Sequence, residues 1–275
     1  MTDKLNKLLD DYANGVAEIF GDTLIGVYLT GSVVLDGFHE GKSDVDCTVL
    51  LRLPPGAHEL EKLEKIHRKL AVRYRKIPIE SQYITIDNIG REEAETELFY
   101  SFHDGKLALG TFNANPITWY TLKKYGKAVW GVSVEDLPVQ TTIKDVTSYV
   151  RSNVRTYWTN WKRLAQVPFS LRRAYSLTDR AVEWCVCGIT RMFYTCMEDD
   201  IASKDKALEY GIVRLPESTH KILKEALHIR NGKERKQYRS RFARRKGMID
   251  YMGLLIKTIA ELPVHVRAAS SVAVE

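Results

Sequence analysis

Two aspartates, Asp44 and Asp46, stand two residues apart at the start of the apolar run Cys47–Leu51. Because side chains alternate between the two faces of a strand, residues at this spacing project from the same face. Two carboxylates on one face repel each other unless a cation lies between them, and Mg²⁺ binds carboxylate oxygens together with water and phosphate oxygens. The spacing therefore predicts a magnesium site, with an exposed pair of strand-end aspartates as the alternative.

A Gly-Ser pair, Gly31 and Ser32, precedes these aspartates and follows another apolar run, Ile25–Leu29. Glycine permits a tight turn and lets a ligand approach the backbone closely. A serine can cap the start of the helix that follows, and the free N–H groups at a helix start bind phosphate. We therefore expect a phosphate site beside the metal site, and the apolar strands on both sides of the aspartates favour metal binding over simple exposure.

A third acid, Glu80, lies within the predicted strand Ile79–Ile86. If this strand lies beside the aspartate-bearing strand, the three carboxylates form one cluster, and the apolar neighbours of Glu80 disfavour a surface role. Such a third carboxylate either accepts the proton of an attacking hydroxyl or helps to hold a second metal ion. The sequence leaves these two roles open.

The elements that position these acids follow from apolar periodicity and from glycine and proline breaks. The N-terminal part of the chain alternates strands and helices, which predicts an α/β domain over residues 1–138, with a short mixed sheet and flanking helices. The predicted helices are 5–20, 59–76 and 91–102; the predicted strands are 23–29, 47–51 and 79–86; residues 103–116 are predicted as a loop and 117–129 as a mixed segment.

After Pro138 the strand-like alternation ends and helical periodicity takes over. Residues 139–275 are therefore predicted to form an all-α C-terminal domain, a helical bundle. Its predicted helices are 143–165, 171–197, 204–211, 217–230 and 238–262.

The chain has 275 residues, a formal charge of +6 and a pI near 9.0. A basic protein favours an anionic ligand, but charge alone does not choose between a nucleotide, a nucleic acid and an acidic protein. The four cysteines form no CxxC pair, so we expect reduced core thiols rather than a zinc site or disulfides. The N-terminal residues are charged and no apolar run reaches the ~20 residues of a membrane span, which together predict a cytoplasmic protein.

A basic segment, Arg230–Lys246, contains nine lysines and arginines. It could bind nucleic acid, a membrane surface or the nucleotide tail, but a solvated loop and helix start is the simpler interpretation. Because Tyr238 and Phe242 are its only rings, it lacks the interleaved aromatic residues of a single-strand stacking surface. We therefore expect neither a nucleic acid nor a membrane as a partner.

The pattern Gly31-Ser32 followed by Ser43-Asp44-x-Asp46 resembles the signature of the polymerase-β-like nucleotidyltransferase superfamily. The connection Ser32–Gly37 is more similar to the aminoglycoside adenylyltransferases than to the polymerases. The run EWCVCGITRMFY at Glu183–Tyr194, with Ile201–Lys204 after it, is similar to the C-terminal domain of the streptomycin/spectinomycin adenylyltransferases. The resemblance covers about residues 20 to 260.

This resemblance implies three kinds of site residue. The implied residues are Gly31, Ser32, Lys204 and Tyr251 for nucleotide binding, Asp44, Asp46 and Glu80 for metal binding, and the same three acids for catalysis, with Glu80 as general base or third carboxylate. Lys204 matches a lysine that reaches the nucleotide phosphates, and Tyr251 matches a tyrosine near the nucleotide. Where the family has an acid that meets the drug's cationic groups, this chain has Ala181, flanked by Asp179 and Glu183.

The implied activity is a Mg²⁺-dependent nucleotidyltransferase that moves a nucleoside monophosphate, AMP from ATP, to a hydroxyl of a small molecule. An aminoglycoside-type antibiotic is the first expected acceptor, which is the chemistry of antibiotic resistance by adenylylation. A protein or RNA acceptor is the alternative that the basic segment favours. A non-catalytic nucleotide-binding module is a third hypothesis, which the intact set of acids disfavours.

Overall fold

The structure is a computed structural model that describes residues 2–232 and 237–263 of the chain. It separates into two compact units, Met1–Thr142 and Ile143–Glu275. The first unit combines strands and helices, and the described part of the second is helical. The predicted fold class, an α/β part followed by an all-α part, is therefore confirmed.

The N-terminal unit contains six strands and four α-helices. In chain order these are α1 (Asp3–Phe20), β1 (Leu24–Leu29), α2 (Gly31–Val34), β2 (Val45–Leu51), α3 (Ala57–Arg73), β3 (Ile79–Thr85), β4 (Phe99–His103), β5 (Lys106–Gly110), α4 (Pro116–Tyr125) and β6 (Lys127–Gly131). The strands form one sheet in the order β5-β4-β3-β2-β1-β6.

The sheet is mixed, as predicted. Strands β2 and β3 are parallel, and the other neighbouring pairs are antiparallel. A parallel pair needs a crossover connection, which α3 supplies here. One face of the sheet packs on α1 and α3 through residues such as Leu8, Tyr12 and Leu63. The other face packs on α4 through Trp119 and Leu122.

The predicted helix 91–102 is wrong, because residues 91–98 form turns and coil and the last four residues belong to strand β4. The predicted loop 103–116 is also wrong over β5, which pairs with β4 as a hairpin. The glutamate-rich residues 92–97 favour a helix locally, but β3 would otherwise present unpaired backbone groups at the sheet edge. Pairing with β4 satisfies those groups, and this tertiary requirement outweighs the local preference.

The C-terminal unit contains seven α-helices among the residues that the structure describes. These are α5 (Ile143–Asn153), α6 (Thr159–Gln166), α7 (Leu171–Tyr175), α8 (Asp179–Glu198), α9 (Lys204–Arg214), α10 (Glu217–Arg230) and α11 (Arg241–Glu261), with a π-helical turn, Val154–Trp158, between α5 and α6. The predicted helix 171–197 is divided in two, because Thr178 caps α8 by accepting a hydrogen bond from the Ala181 N–H.

The four cysteines are reduced and buried, as predicted; they are Cys47, Cys185, Cys187 and Cys196. Within residues 2–232 and 237–263, no helix combines the length and the apolar character needed to cross a membrane.

Candidate active site

The structure brings together the three acids that the sequence singles out. Oxygen atoms of Asp44, Asp46 and Glu80 all lie within 4.8 Å of one another. Asp46 lies directly opposite Glu80 in the parallel β2–β3 register, so their side chains share a face. Asp44 lies one residue before β2 and two before Asp46, which places its carboxylate near the N-terminal ends of the parallel strands β2 and β3.

The cluster suits a hard divalent cation. All of its donors are carboxylate oxygens, which Mg²⁺ and Mn²⁺ prefer over softer ligands. The three side chains are half-buried, so the cluster is neither fully hydrated nor closed to a ligand. The residues present therefore fit the metal that the sequence analysis predicts.

Gly31 forms the turn between β1 and the cluster, in a left-handed conformation with φ of +63°. A Cβ atom at this position would lie 1.8 Å from Oδ2 of Asp46 and 2.6 Å from its Cγ. No real contact is that short, so a side chain here would displace the Asp46 carboxylate. Gly31 therefore leaves room for a site acid, and the predicted approach of a ligand to its backbone stays a prediction.

Ser32 does not cap the helix that follows, which corrects the prediction. The N-cap position of α2 is Thr30, whose side chain makes no capping hydrogen bond. Ser32 lies within this short helix, and its Oγ donates to the backbone carbonyl of Asp44 at 3.3 Å. Ser32 therefore ties the Gly31 turn to the loop that presents Asp44, and its contact with a triphosphate stays a prediction.

Burial raises the pKa of the Glu80 carboxyl above its ordinary value, and the nearby negative charge of Asp44 raises that pKa further. Hydrogen bonds from the Asp104 backbone N–H and from the His103 side chain lower it again. Like charges at short range disfavour simultaneous ionisation, so a cation bound among these acids would favour the fully ionised cluster.

The sequence analysis missed two residues at this site, His103 and Asp104. Nδ1 of His103 lies 2.5 Å from Oε2 of Glu80, and the Asp104 backbone N–H donates to Oε1 of Glu80 at 3.3 Å. A signal was present in the sequence, because an Asp-Gly pair between two apolar runs is typical of a β-hairpin. Here that pair is Asp104 and Gly105.

A cavity of about 590 Å³ opens onto Asp44 and Glu80 within the N-terminal unit. Its lining combines these acids with basic residues, among them Lys42, Arg75 and Lys76. A cavity of this size is within the range of small-molecule sites, and it gives a polar molecule access to the Glu80 carboxylate.

Comparison with known families agrees with this geometry. Residues 9–96 match the family model of the nucleotidyltransferase domain. Residues 176–253 match the model of the aminoglycoside adenylyltransferase C-terminal domain. The chain combines a nucleotidyltransferase domain with an aminoglycoside adenylyltransferase C-terminal domain. The predictions of family resemblance and of an enzyme that transfers a nucleotidyl group are therefore confirmed.

Solved structures match this nucleotidyltransferase, and the one that aligns over most of the chain resembles it in fold. One is the spectinomycin adenyltransferase AAD(9) from Enterococcus faecialis, solved with ATP and spectinomycin. It is 15% identical to this chain, and the alignment covers 91% of this chain and 98% of the other, with a TM-score of 0.65. A toxin-antitoxin structure with AMP-PNP is 15% identical over 54% of this chain and 92% of its own, with a TM-score of 0.29. No curated protein shows significant sequence similarity to the chain.

The two predicted nucleotide contacts of the helical unit have different environments. Lys204 is the first residue of α9 and is half-buried. Tyr251 is 3% exposed, and its hydroxyl lies 2.7 Å from Oγ1 of Thr190. Burial raises the pKa of Tyr251 far above its ordinary value, as expected for a core phenol. The nucleotide-binding roles of both residues stay predictions.

The basic segment is not simply a solvated loop and helix start, which corrects that interpretation. Arg230 and Arg244 are each 3% exposed. Arg230 pairs with Asp205 at 2.7 Å and with Glu183 at 3.2 Å. Residues 233–236 of the segment lie outside the described part of the chain.

Arg244 makes the corresponding contacts from α11. It pairs with Asp179 at 2.6 Å and with Glu225 at 3.3 Å. Both acids that flank Ala181, Asp179 and Glu183, are therefore engaged by buried arginines, and Ala181 itself is fully buried. These acids hold the helical unit together.

Proposed function

We propose that this protein is a Mg²⁺-dependent nucleotidyltransferase that transfers AMP from ATP to a hydroxyl of a small acceptor and releases pyrophosphate. The convergence of Asp44, Asp46 and Glu80 within 4.8 Å, inside a nucleotidyltransferase domain, is the observation that carries the proposal. An acid cluster of this kind suits a reaction in which positioning and charge stabilisation do most of the work.

Asp44 and Asp46 would hold the cation through their carboxylate oxygens. A bound Mg²⁺ would stabilise the negative charge that develops on the phosphate oxygens during transfer. The backbone at Gly31 would contact the triphosphate of ATP, and the absence of a Cβ there leaves the space that Oδ2 of Asp46 occupies.

Glu80 would accept the proton of the acceptor hydroxyl. The hydroxyl oxygen attacks the α-phosphorus of ATP, the bond between the α-phosphorus and the bridging oxygen breaks, and pyrophosphate leaves. The transferred proton moves to a carboxylate oxygen of Glu80, which the cavity beside Asp44 makes accessible. With a cation bound at the two aspartates, Glu80 would be ionised and able to accept this proton.

An aminoglycoside-type antibiotic is the acceptor we propose first, because residues 176–253 match the aminoglycoside adenylyltransferase C-terminal domain. Asp179 and Glu183 already contact buried arginines. We therefore expect that they do not bind the cationic groups of the acceptor. Two of the nine basic residues in the basic segment are buried in ion pairs, so these two are not available to a protein or RNA acceptor.

Pyrophosphate release tests the proposal directly. The wild-type protein is assayed with ATP and Mg²⁺ against a panel of aminoglycoside and aminocyclitol acceptors, and adenylylated products are identified by mass. We expect turnover with at least one acceptor and a loss of ~10³-fold or more in Asp46→Asn, because a metal ligand is removed. The matched control, Asp250→Asn, changes an exposed aspartate of α11 and should retain activity. Unchanged turnover in Asp46→Asn would refute the proposal.

A further inference from the structure

The tip of the β4–β5 hairpin lies beside Glu80. In the antiparallel β3–β4 register Ser81 pairs with Phe102, so the next residues along, Glu80 and His103, are opposite each other. His103 also pairs with Lys106 across the hairpin. The two residues between them, Asp104 and Gly105, therefore form the turn that faces the acid cluster.

Both oxygens of the Glu80 carboxylate are held by this tip. Nδ1 of His103 contacts Oε2 at 2.5 Å, and the backbone N–H of Asp104 donates to Oε1 at 3.3 Å. An ionised carboxylate only accepts hydrogen bonds, so the proton in the first contact belongs to Nδ1. The two donors together define the orientation of the carboxylate plane.

The tip itself is held in place. Asp104 and Gly105 have φ values of 49° and 76°, the two consecutive left-handed residues of a type I′ hairpin turn. The His103 ring packs on Phe112 with centroids 4.5 Å apart, and Nε2 lies 3.3 Å from Oδ2 of Asp104. The donors to Glu80 are therefore fixed by the turn geometry and by ring packing on the next segment.

Such an arrangement has a chemical use. Glutamate has three rotatable side-chain bonds, and the neighbouring carboxylates of Asp44 and Asp46 repel Glu80 away from them. A proton acceptor must nevertheless point one oxygen at the attacking hydroxyl, since small misplacements of reacting groups slow the reaction strongly. Donors on the far side of Glu80 hold the displaced carboxylate in one orientation and stabilise its negative charge beside the two aspartates, while its remaining lone pairs can still accept a proton.

We propose that His103 is a positioning residue that, with the Asp104 backbone, orients the Glu80 carboxylate for proton transfer. This inference rests on the proposed function. It gives the hairpin tip a role in catalysis, although no residue of the tip belongs to the proposed ligands of the cation.

Substitution of His103 tests the inference by splitting kcat from KM. In His103→Ala we expect kcat to fall by about 10- to 100-fold, as for partners that orient a reacting ligand, while the KM for ATP changes less than about twofold. His103→Asn keeps an amide N–H near the position of Nδ1 and should recover most of kcat. The control Lys106→Ala alters the exposed side of the same hairpin and should match the wild type.

Crystal structures of the wild type and His103→Ala supply a readout that does not depend on turnover. We expect the Glu80 carboxylate to leave its wild-type position in the variant, while the backbone of residues 99–110 stays unchanged. An unmoved carboxylate, or a kcat equal to that of the wild type, overturns the inference. Failure of the proposed function looks different, because then the wild type and Asp46→Asn show the same rate of pyrophosphate release.

Discussion

Carboxylates cluster in both units of this protein, but with opposite neighbours. In the N-terminal unit Asp44, Asp46 and Glu80 face one another, and the negative charge of Asp44 raises the pKa of Glu80. In the helical unit the clustered acids contact buried guanidinium groups of Arg230 and Arg244. The first cluster concentrates negative charge at accessible positions on strands β2 and β3, whereas each acid of the second contacts an arginine that is itself buried.

This contrast separates function from structure. Burying like charges together costs stability, so such a cluster persists where a ligand completes it. Burying charges in pairs fixes the packing of helices that are distant in sequence, here α8, α9, α10 and α11. We therefore assign the acids of the sheet to chemistry and those of the helical unit to packing.

The largest effect on stability should come from the buried pairs. Arg244→Met leaves Glu225, whose side chain is 2% exposed, without its guanidinium partner. We expect a loss of about 3–5 kcal/mol in the free energy of unfolding, because an unpaired buried charge remains. Urea unfolding followed by far-UV circular dichroism measures it.

The matched control for Arg244 is Lys246→Met, two residues further along the same helix. Lys246 is 78% exposed and pairs with Asp250 at 2.7 Å. Its removal should change the free energy of unfolding by less than about 1 kcal/mol, since exposed pairs contribute little. Equal losses of stability in the two variants would show that the buried ion pairs of Arg244 contribute no more than the exposed pair of Lys246.

A smaller free-energy change, now in activity, should follow from Gly31→Ala. The added Cβ would lie 1.8 Å from Oδ2 of Asp46, so the carboxylate must move out of the cluster. We expect a loss of about 100-fold in kcat/KM, equivalent to about 2.7 kcal/mol.

Gly21→Ala is the control for backbone strain at Gly31. Gly21 also has a positive φ, +49°, but an added Cβ there would meet nothing within 4 Å. Both variants should lose about 1–3 kcal/mol of stability from backbone strain, and only Gly31→Ala should lose activity. Retention of full activity in Gly31→Ala would show that the Asp46 position is not critical.

The smallest effect concerns a titratable group that is buried without a charged partner. His67 stacks on Phe102 with centroids 3.7 Å apart and contacts the Tyr83 hydroxyl at 2.6 Å. Burial lowers the pKa of His67 to about 3. Since the unfolded chain takes up this proton near pH 6.5 and the folded chain does not, stability falls as the pH drops below about 6.5.

Between pH 7 and pH 5 this proton uptake should cost the wild type about 2 kcal/mol. His67→Gln cannot titrate, so its stability should depend less on pH by this amount, even if it is less stable throughout. Parallel urea titrations of the two proteins at pH 7 and pH 5 measure the difference. Identical pH dependence would show that His67 is charged in the folded protein.

Much of the site could be predicted from the sequence because its geometry is local. A spacing of two residues places Asp44 and Asp46 on one face, and pairing of two apolar strands brings Glu80 opposite Asp46. His103 was missed because local composition favoured a helix over residues 91–102, although the Asp104-Gly105 pair after it is typical of a hairpin. Pairing with β3 makes residues 99–103 a strand.

The burial of Arg230 and Arg244 could not be predicted from the sequence, for a similar reason. Arg230 and Arg244 stand in a run of basic residues that looks solvated, and their partners lie far away in the sequence at Glu183, Asp205 and Glu225. A charge run shows which residues are charged, but the tertiary packing decides which of them are paired. The helical fold class was predictable; the ion pairs that support it were not.

Binding of Mn²⁺, measured by electron paramagnetic resonance in the presence of a non-hydrolysable ATP analogue, tests the central claim most directly. Mn²⁺ reports on the site that we propose for Mg²⁺, because both ions prefer oxygen ligands. We predict saturable binding to the wild type, weaker by about 10-fold or more in Asp46→Asn, and unchanged in Asp250→Asn. Equal affinity in the wild type and Asp46→Asn would contradict the assignment of the acid cluster to cation binding.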